Sequence, residues 1–220
     1  MQDAAIAIIL FTDSYAYKKE RKQKEQPESE STDSLIEIAA NLEYIRDKIW
    51  NNKEFKQMIK NQNLLRPLAS LTIFKLNNHS NQEVDRLRFN VRQESRWCLS
   101  RFHYNGDAQD FADLVNVQYG KVTCISLSTA GGIGEEKNED IYIGLENICN
   151  FLREQHEGRN SSWLPSFQPL PLLVRMTEEQ IEEEGAIEEV EAQMKNKGYY
   201  DIKYYANWVK AETLNHFIQW

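Results

Sequence analysis

The sequence predicts an α/β protein, a single open sheet, mostly parallel or mixed, with helices on both faces. Three observations lead there. Short apolar runs rich in β-branched or aromatic residues recur along the chain, amphipathic stretches at helical spacing separate them, and glycine- or proline-marked connections join the two. Parallel pairing needs a crossover, and a helix is the simplest crossover.

The elements follow in order. Ala4 to Phe11 is a continuous apolar run closed by Thr12-Asp13-Ser14 and predicts a central strand. Residues 17–33 are dominated by Lys, Glu, Gln, Pro and Ser and bury too little to repay ordering, so they predict a mobile charged insertion. Leu35, Ala39, Leu42, Ile45 and Ile49 then recur at three- and four-residue steps behind Ser34, a helix with its cap. A shorter helix follows through Phe55, Met58 and Ile59, and Leu68 to Leu76 after Pro67 reads as a strand.

The stretch from Glu83 to Phe102 fits a helix better than a strand, with Val84, Leu87, Val91, Cys98 and Phe102 on one face. A short helix through Phe111, Leu114 and Val115 ends near Gly120. Val122 to Leu127 predicts a third strand, a glycine turn follows, and Ile141, Leu145, Ile148 and Leu152 mark the next helix. Pro165, Pro169 and Pro171 predict an extended connection, Leu170 to Val174 a fourth strand, and Thr177 with Gln180 a capping box for a helix ending at Gly198. Tyr199 to Tyr205 reads as a strand and Leu214 to Trp220 as a terminal amphipathic segment. No internal repeat is visible in the residues, and a single α/β domain spanning 1–220 fits the length.

Charge and composition narrow the function. The 220 residues hold 26 Lys plus Arg against 34 Asp plus Glu, a net charge of −8 that argues against a general nucleic-acid coat. No apolar run reaches the roughly 20 residues of a bilayer span, and the opening lacks the marks of a signal peptide. The expectation is a soluble intracellular protein, cytoplasmic or nuclear, without a membrane partner. Cys98, Cys124 and Cys149 are far apart, so reduced buried thiols are expected.

Several residues are candidates for chemistry. Gly131, Gly132 and Gly134 open a helix and could cradle phosphate, but neither phosphate-loop spacing is met and Glu135 and Glu136 would repel an anion. Asp201 and Lys203 would project to one face of a strand, as in metal-dependent nuclease cores, yet no defined upstream acid completes the set. Asp13 stands at the carboxyl end of the first predicted strand, where open sheets bind ligands. The histidines are scattered without metal-binding spacing. Arg88, Arg92 and Arg96 form a row with Trp97 beside it, suited either to phosphate or to pairing within the fold. Phe217, Ile218 and Trp220 would form an exposed patch if they do not pack back.

The expectation is a non-catalytic interaction or scaffold domain whose partner is another protein, with no cofactor. Its contact residues would be Arg88, Arg92, Arg96, Trp97, Phe217, Ile218 and Trp220. One alternative is a degenerate nucleotide-binding or metal-dependent phosphodiesterase enzyme, and a second is an RNA-associated module, which the negative charge disfavours. The order of proline-rich approach, apolar strand, acid-rich helix, tyrosine strand and Thr213-Leu214-Asn215 resembles a region of large nuclear mRNA-export scaffolds. That resemblance covers about the last quarter of the chain, contains no specific motif and assigns no residue a role.

Overall fold

The computed structural model describes residues 2–21, 31–51, 53–61, 63–76, 78–127, 138–182, 186–195 and 201–215. Among these residues there is no strand, only an isolated antiparallel bridge between Arg159 and Phe167, so the α/β expectation is overturned. The chain is helical: α1 (Gln2–Arg21), α2 (Thr32–Asn51), α3 (Lys53–Asn61), α4 (Leu65–Thr72), α5 (Gln82–Tyr104), α6 (Ala108–Asn116), α7 (Tyr119–Ser126), α8 (Asn138–Glu157), α9 (Pro171–Glu182), α10 (Ala186–Gln193) and α11 (Ile202–Asn215). It divides into two compact units, residues 1–102 and 103–220. Of the predicted insertion at 17–33, Tyr17 to Arg21 close α1, Thr32 and Asp33 open α2, and residues 22–30 lie outside the described set.

The predicted strands fall on helices, in whole or in part, for identifiable reasons. In α1, Ala4, Ala5, Ile8 and Thr12 are buried at helical steps while Ile6 and Leu10 are exposed, so apolar residues on both sides hide the period. Helix α7 buries Val122, Thr123 and Cys124 in succession; a short helix enclosed on several sides reads like a buried strand. The prolines were misleading too. Pro67 is the third residue of α4 and Pro171 the first of α9, positions whose amide hydrogens have no partner within the helix anyway. In α11, Ile202, Ala206, Val209 and Thr213 are buried at steps of four and three, a pattern masked by the adjacent tyrosines. Tyr199 and Tyr200 lie outside the described residues.

The caps moved accordingly. Ser34 sits inside α2, and Thr177 is buried within α9, its hydroxyl donating to Gln155 Oε1 at 3.0 Å. The capping box belongs to α6. Asp107 accepts from the Asp110 amide at 2.9 Å, and the Asp110 carboxylate accepts from the Asp107 amide at 2.8 Å.

A repeat that the residues do not display is plain in the helices. A short, a second short and a longer helix recur as α3, α4 and α5 (9, 8 and 23 residues), then α6, α7 and α8 (9, 8 and 20), then α9, α10 and α11 (12, 8 and 14). In the second unit the two triplets stack like on like: α6 against α9, α7 against α10, α8 against α11. Their ends coincide. Gln180 Nε2 of α9 donates to Val115 O near the end of α6 at 3.1 Å, and Gln193 Nε2 at the end of α10 donates to Leu127 O just past α7 at 3.2 Å. Cys149 Sγ donates to Tyr205 O at 3.7 Å, and seven residues on along both helices (156 − 149 = 7, 212 − 205 = 7) His156 meets Glu212, so α8 and α11 run in the same direction. Close approaches make this possible. Gly144 of α8 leaves room for Leu127, and Gly120 of α7 lies against Thr177 and Ile181 of α9. The shared core joins Cys124, Leu127, Leu145, Ile148, Leu152, Ile181, Val190, Ile202, Ala206 and Val209, drawn from all but α6.

The first unit pairs α1 with α2 ahead of its triplet. Phe74, just beyond α4, takes the rings of Phe11 and Tyr15 at 5.5 and 5.0 Å. Helix α5 is held by Ser95 Oγ donating to Leu68 O at 2.6 Å, and by Arg46 of α2 gripping both oxygens of Glu94 at 2.8 and 2.6 Å.

Candidate functional site

Stacking lays α8 beside α11 and leaves one side of the pair turned outward. Ile141, Leu145, Ile148 and Leu152 take the inner face of α8, which places Tyr142, Glu146, Asn150 and Arg153 on the outer one at steps of four and three. On α11 the exposed side chains are Lys203, Tyr204, Asn207 and Ala211. Tyr205 fills the seam. Its ring stands perpendicular to Tyr142 and to Tyr204, each at 5.3 Å, and its hydroxyl points at Glu146 Oε1 at 3.5 Å. Partial burial of the phenol, with Tyr142 and Glu146 beside it, pushes its pKa up to about 12, so it stays a neutral donor at physiological pH. Arg153 Nη2 donates to Asn150 Oδ1 at 2.6 Å, and Asn207 Nδ2 donates to Lys203 O at 2.7 Å. The surface therefore combines aromatic faces, carboxamides, the carboxylate of Glu146 and the cations Arg153 and Lys203 on two parallel helices.

A second polar cluster lies inside the same unit. Arg159 donates through Nε to Glu154 Oε1 at 3.0 Å, through Nη2 to Oε2 at 2.6 Å, and through Nη1 to Gly106 O at 2.7 Å. His103 Nε2 lies 3.1 Å from Glu154 Oε2. Burial alone would raise the pKa of Glu154, but the hydrogen bonds from His103 and Arg159 hold it down at about 2. Burial lowers that of His103, against the pull of Glu154. Phe111, Tyr119 and Phe151 surround the imidazole, and the guanidinium lies over Phe111 and Phe167. These groups point at one another and at a backbone carbonyl; the arrangement fastens the 158–170 connector to the end of α8.

The sequence-predicted residues are placed as follows. Arg88 and Arg92 are buried on α5: Arg88 donates to Asn78 O at 2.7 Å and pairs with Asp85, and Arg92 donates to Phe74 O at 3.3 Å. Arg96 and Trp97 are half-buried on the same helix. Asp13 is exposed on α1, with no strand end beside it. Asp201 precedes α11 and Lys203 lies in its first turn, both exposed, so the common strand face on which they were paired does not form. Gly131, Gly132, Gly134, Phe217, Ile218 and Trp220 lie outside the described residues.

Among the described residues, no group of three or more His, Cys, Asp or Glu side chains is arranged to hold a metal ion. No helix among them is long and apolar enough to cross a membrane. The three cysteines are buried, and burial raises the pKa of each thiol. Sequence reasoning missed the α8 surface because polar residues at helical spacing resemble an ordinary solvated face. The signal was Tyr142, Glu146 and Asn150 running parallel to the apolar Ile141, Leu145 and Ile148.

No protein-family model matches the chain, and no curated protein matches it significantly.

Proposed function

We propose that this chain is a non-catalytic scaffold that binds an extended polypeptide on the outer face of α8 and α11. The observation that supports the reading is the in-register, parallel stacking of two helix triplets. Stacked three-helix repeats are the architecture of armadillo-type α-solenoids, whose extended faces serve as binding surfaces; the link is one of architecture alone.

The side chains on this face suit such a ligand. An extended peptide presents an unpaired amide and carbonyl at nearly every residue, and carboxamides such as Asn150 and Asn207 supply both a donor and an acceptor. Tyr142, Tyr204 and Tyr205 offer apolar area at low entropic cost and electron-rich faces for a cation. The net charge of −8 favours basic side chains in the partner, with the Glu146 carboxylate as their local acceptor beside Arg153 and Lys203.

The test is fluorescence anisotropy of the full chain with an unstructured lysine-containing peptide and with its glutamate-containing counterpart. Preference for the lysine peptide is expected, with at least a tenfold loss in a Tyr204→Ala, Asn150→Ala double variant that keeps wild-type helicity, as for loss of interface hot spots. Equal binding by variant and wild type would remove this face from the interaction.

A further inference from the structure

Three helices of the second unit meet at one imidazole. His156, in the last turn of α8, places Nε2 3.2 Å from Glu178 Oε1 on α9 and 3.7 Å from Glu212 Oε2 on α11. The Glu178 side chain is only 5% exposed, whereas those of His156 and Glu212 are 28% and 32% exposed. A buried carboxylate requires a counter-charge or full hydrogen bonding, and the imidazolium is placed to supply it. The contact also crosses the boundary between triplets: α8 closes one, and α9 and α11 belong to the next.

We propose that His156 is a proton-operated clasp that fastens the last helix triplet to α8. Protonated, the ring bridges Glu178 and Glu212, holding α9 against the end of α8 and keeping α8 and α11 in their parallel register. Neutral, it can keep a hydrogen bond to one carboxylate but no longer carries the charge that draws in both. Three acids bear on it: Glu178 from α9, Glu212 from α11 and Glu157 from its own helix. The Glu178 hydrogen bond leads in raising its proton affinity, with partial burial opposing, and the net direction is upward from 6.5.

The direction of the effect follows from linkage. A histidine whose folded-state value lies above its unfolded one contributes stability that is complete below the unfolded value and lost as pH rises through the folded value. The clasp is therefore closed in acidic solution and released as pH rises through the raised value of the imidazole, within the range where histidine is the natural switch. Because α8 and α11 present the outer face described above, the clasp governs their alignment. Its operation rests on no ligand.

Hydrogen exchange of the full chain, compared at about pH 6 and about pH 8.5 and corrected for intrinsic chemistry, tests this. In wild type the amides of α9 and α11 are expected to open roughly two- to fivefold more at the higher pH, the range for a partly exposed ion pair, while those of α6 stay level. His156→Gln keeps a neutral donor and is expected to show the high-pH behaviour at both values. Glu212→Gln, altering a more exposed position, is expected to shrink the pH step without removing it. An absent step in wild type, or a step of wild-type size in His156→Gln or in Glu212→Gln, would overturn the proposal.

Discussion

Arg159 grips the carboxylate of Glu154 through two parallel hydrogen bonds, Nε at 3.0 Å and Nη2 at 2.6 Å, five residues apart across the end of α8. The Arg159 side chain is 6% exposed, so the pair works in a largely dry setting where two-point geometry counts most. The connector that carries Arg159 is irregular, and this pair, with the Arg159–Phe167 bridge, gives it a defined course.

Removing the acid should be costly and should change the response to acid. Glu154→Gln is expected to lose about 3–5 kcal/mol at neutral pH, because it strands a buried guanidinium. The Glu154 value lies at about 2 in the fold, below its ordinary 4.5, so its contribution is full above 4.5 and is lost as pH falls towards 2. Urea unfolding between neutral pH and pH 3 should show a steeper decline for wild type than for the variant. Parallel declines would refute the assignment.

Gly158 ends α8 in the left-handed region, with φ of +75°, and a Cβ there would stand 2.6 Å from Phe167 O and 2.9 Å from Pro169 N. The left-handed conformation alone costs a non-glycine residue about 1–2 kcal/mol, and the neighbours are rigid backbone. Gly158→Ala should lower stability by at least that amount in chemical denaturation; a neutral result would mean the connector can move aside.

Phe151 is fully buried, stacked on Phe111 at 5.1 Å and edge-on to Tyr119 at 4.9 Å. Phe151→Ala should cost about 3–5 kcal/mol by loss of burial plus a cavity. Tyr204, 63% exposed, should cost under about 0.5 kcal/mol on the same substitution. Denaturation midpoints for the two variants test the contrast.

Arg92→Ala should reveal itself in stability rather than in nucleic-acid retention. The guanidinium of Arg92 is buried, donates to Phe74 O and lies over the Phe89 ring at 5.9 Å. A loss of about 1–3 kcal/mol is expected from the carbonyl left behind and the packing removed. A gel shift that weakens in the variant while its unfolding midpoint stays unchanged would contradict this placement.

The legible part of the fold is where helices are long and one-sided. Leu35, Leu42, Ile45 and Ile49 repeat cleanly along α2, as do Ile141, Leu145, Ile148 and Leu152 along α8, and Arg88 and Arg92 fall within a predicted helix that exists as α5. The illegible part is where neighbours surround a short helix. Val122, Thr123 and Cys124 carry no period because α8, α9 and α10 all contact α7, and burial on several sides overrides the propensity of β-branched residues for strands. Pro171 reads in the sequence as part of an extended connection, whereas its place at the first position of α9 makes it a helix starter. The surface on α8 and α11 escaped notice because Tyr142 and Tyr205 lie 63 positions apart (205 − 142 = 63) and only stacking unites them.

Like-on-like stacking also shapes how the second unit comes apart. Where each layer leans chiefly on the next, loss of order can start at an end and travel inward, so different spectroscopic probes need not report one common transition. Amide exchange read separately in α11 and in α7 should then yield separate midpoints. A single melting temperature would average over layers of unequal strength.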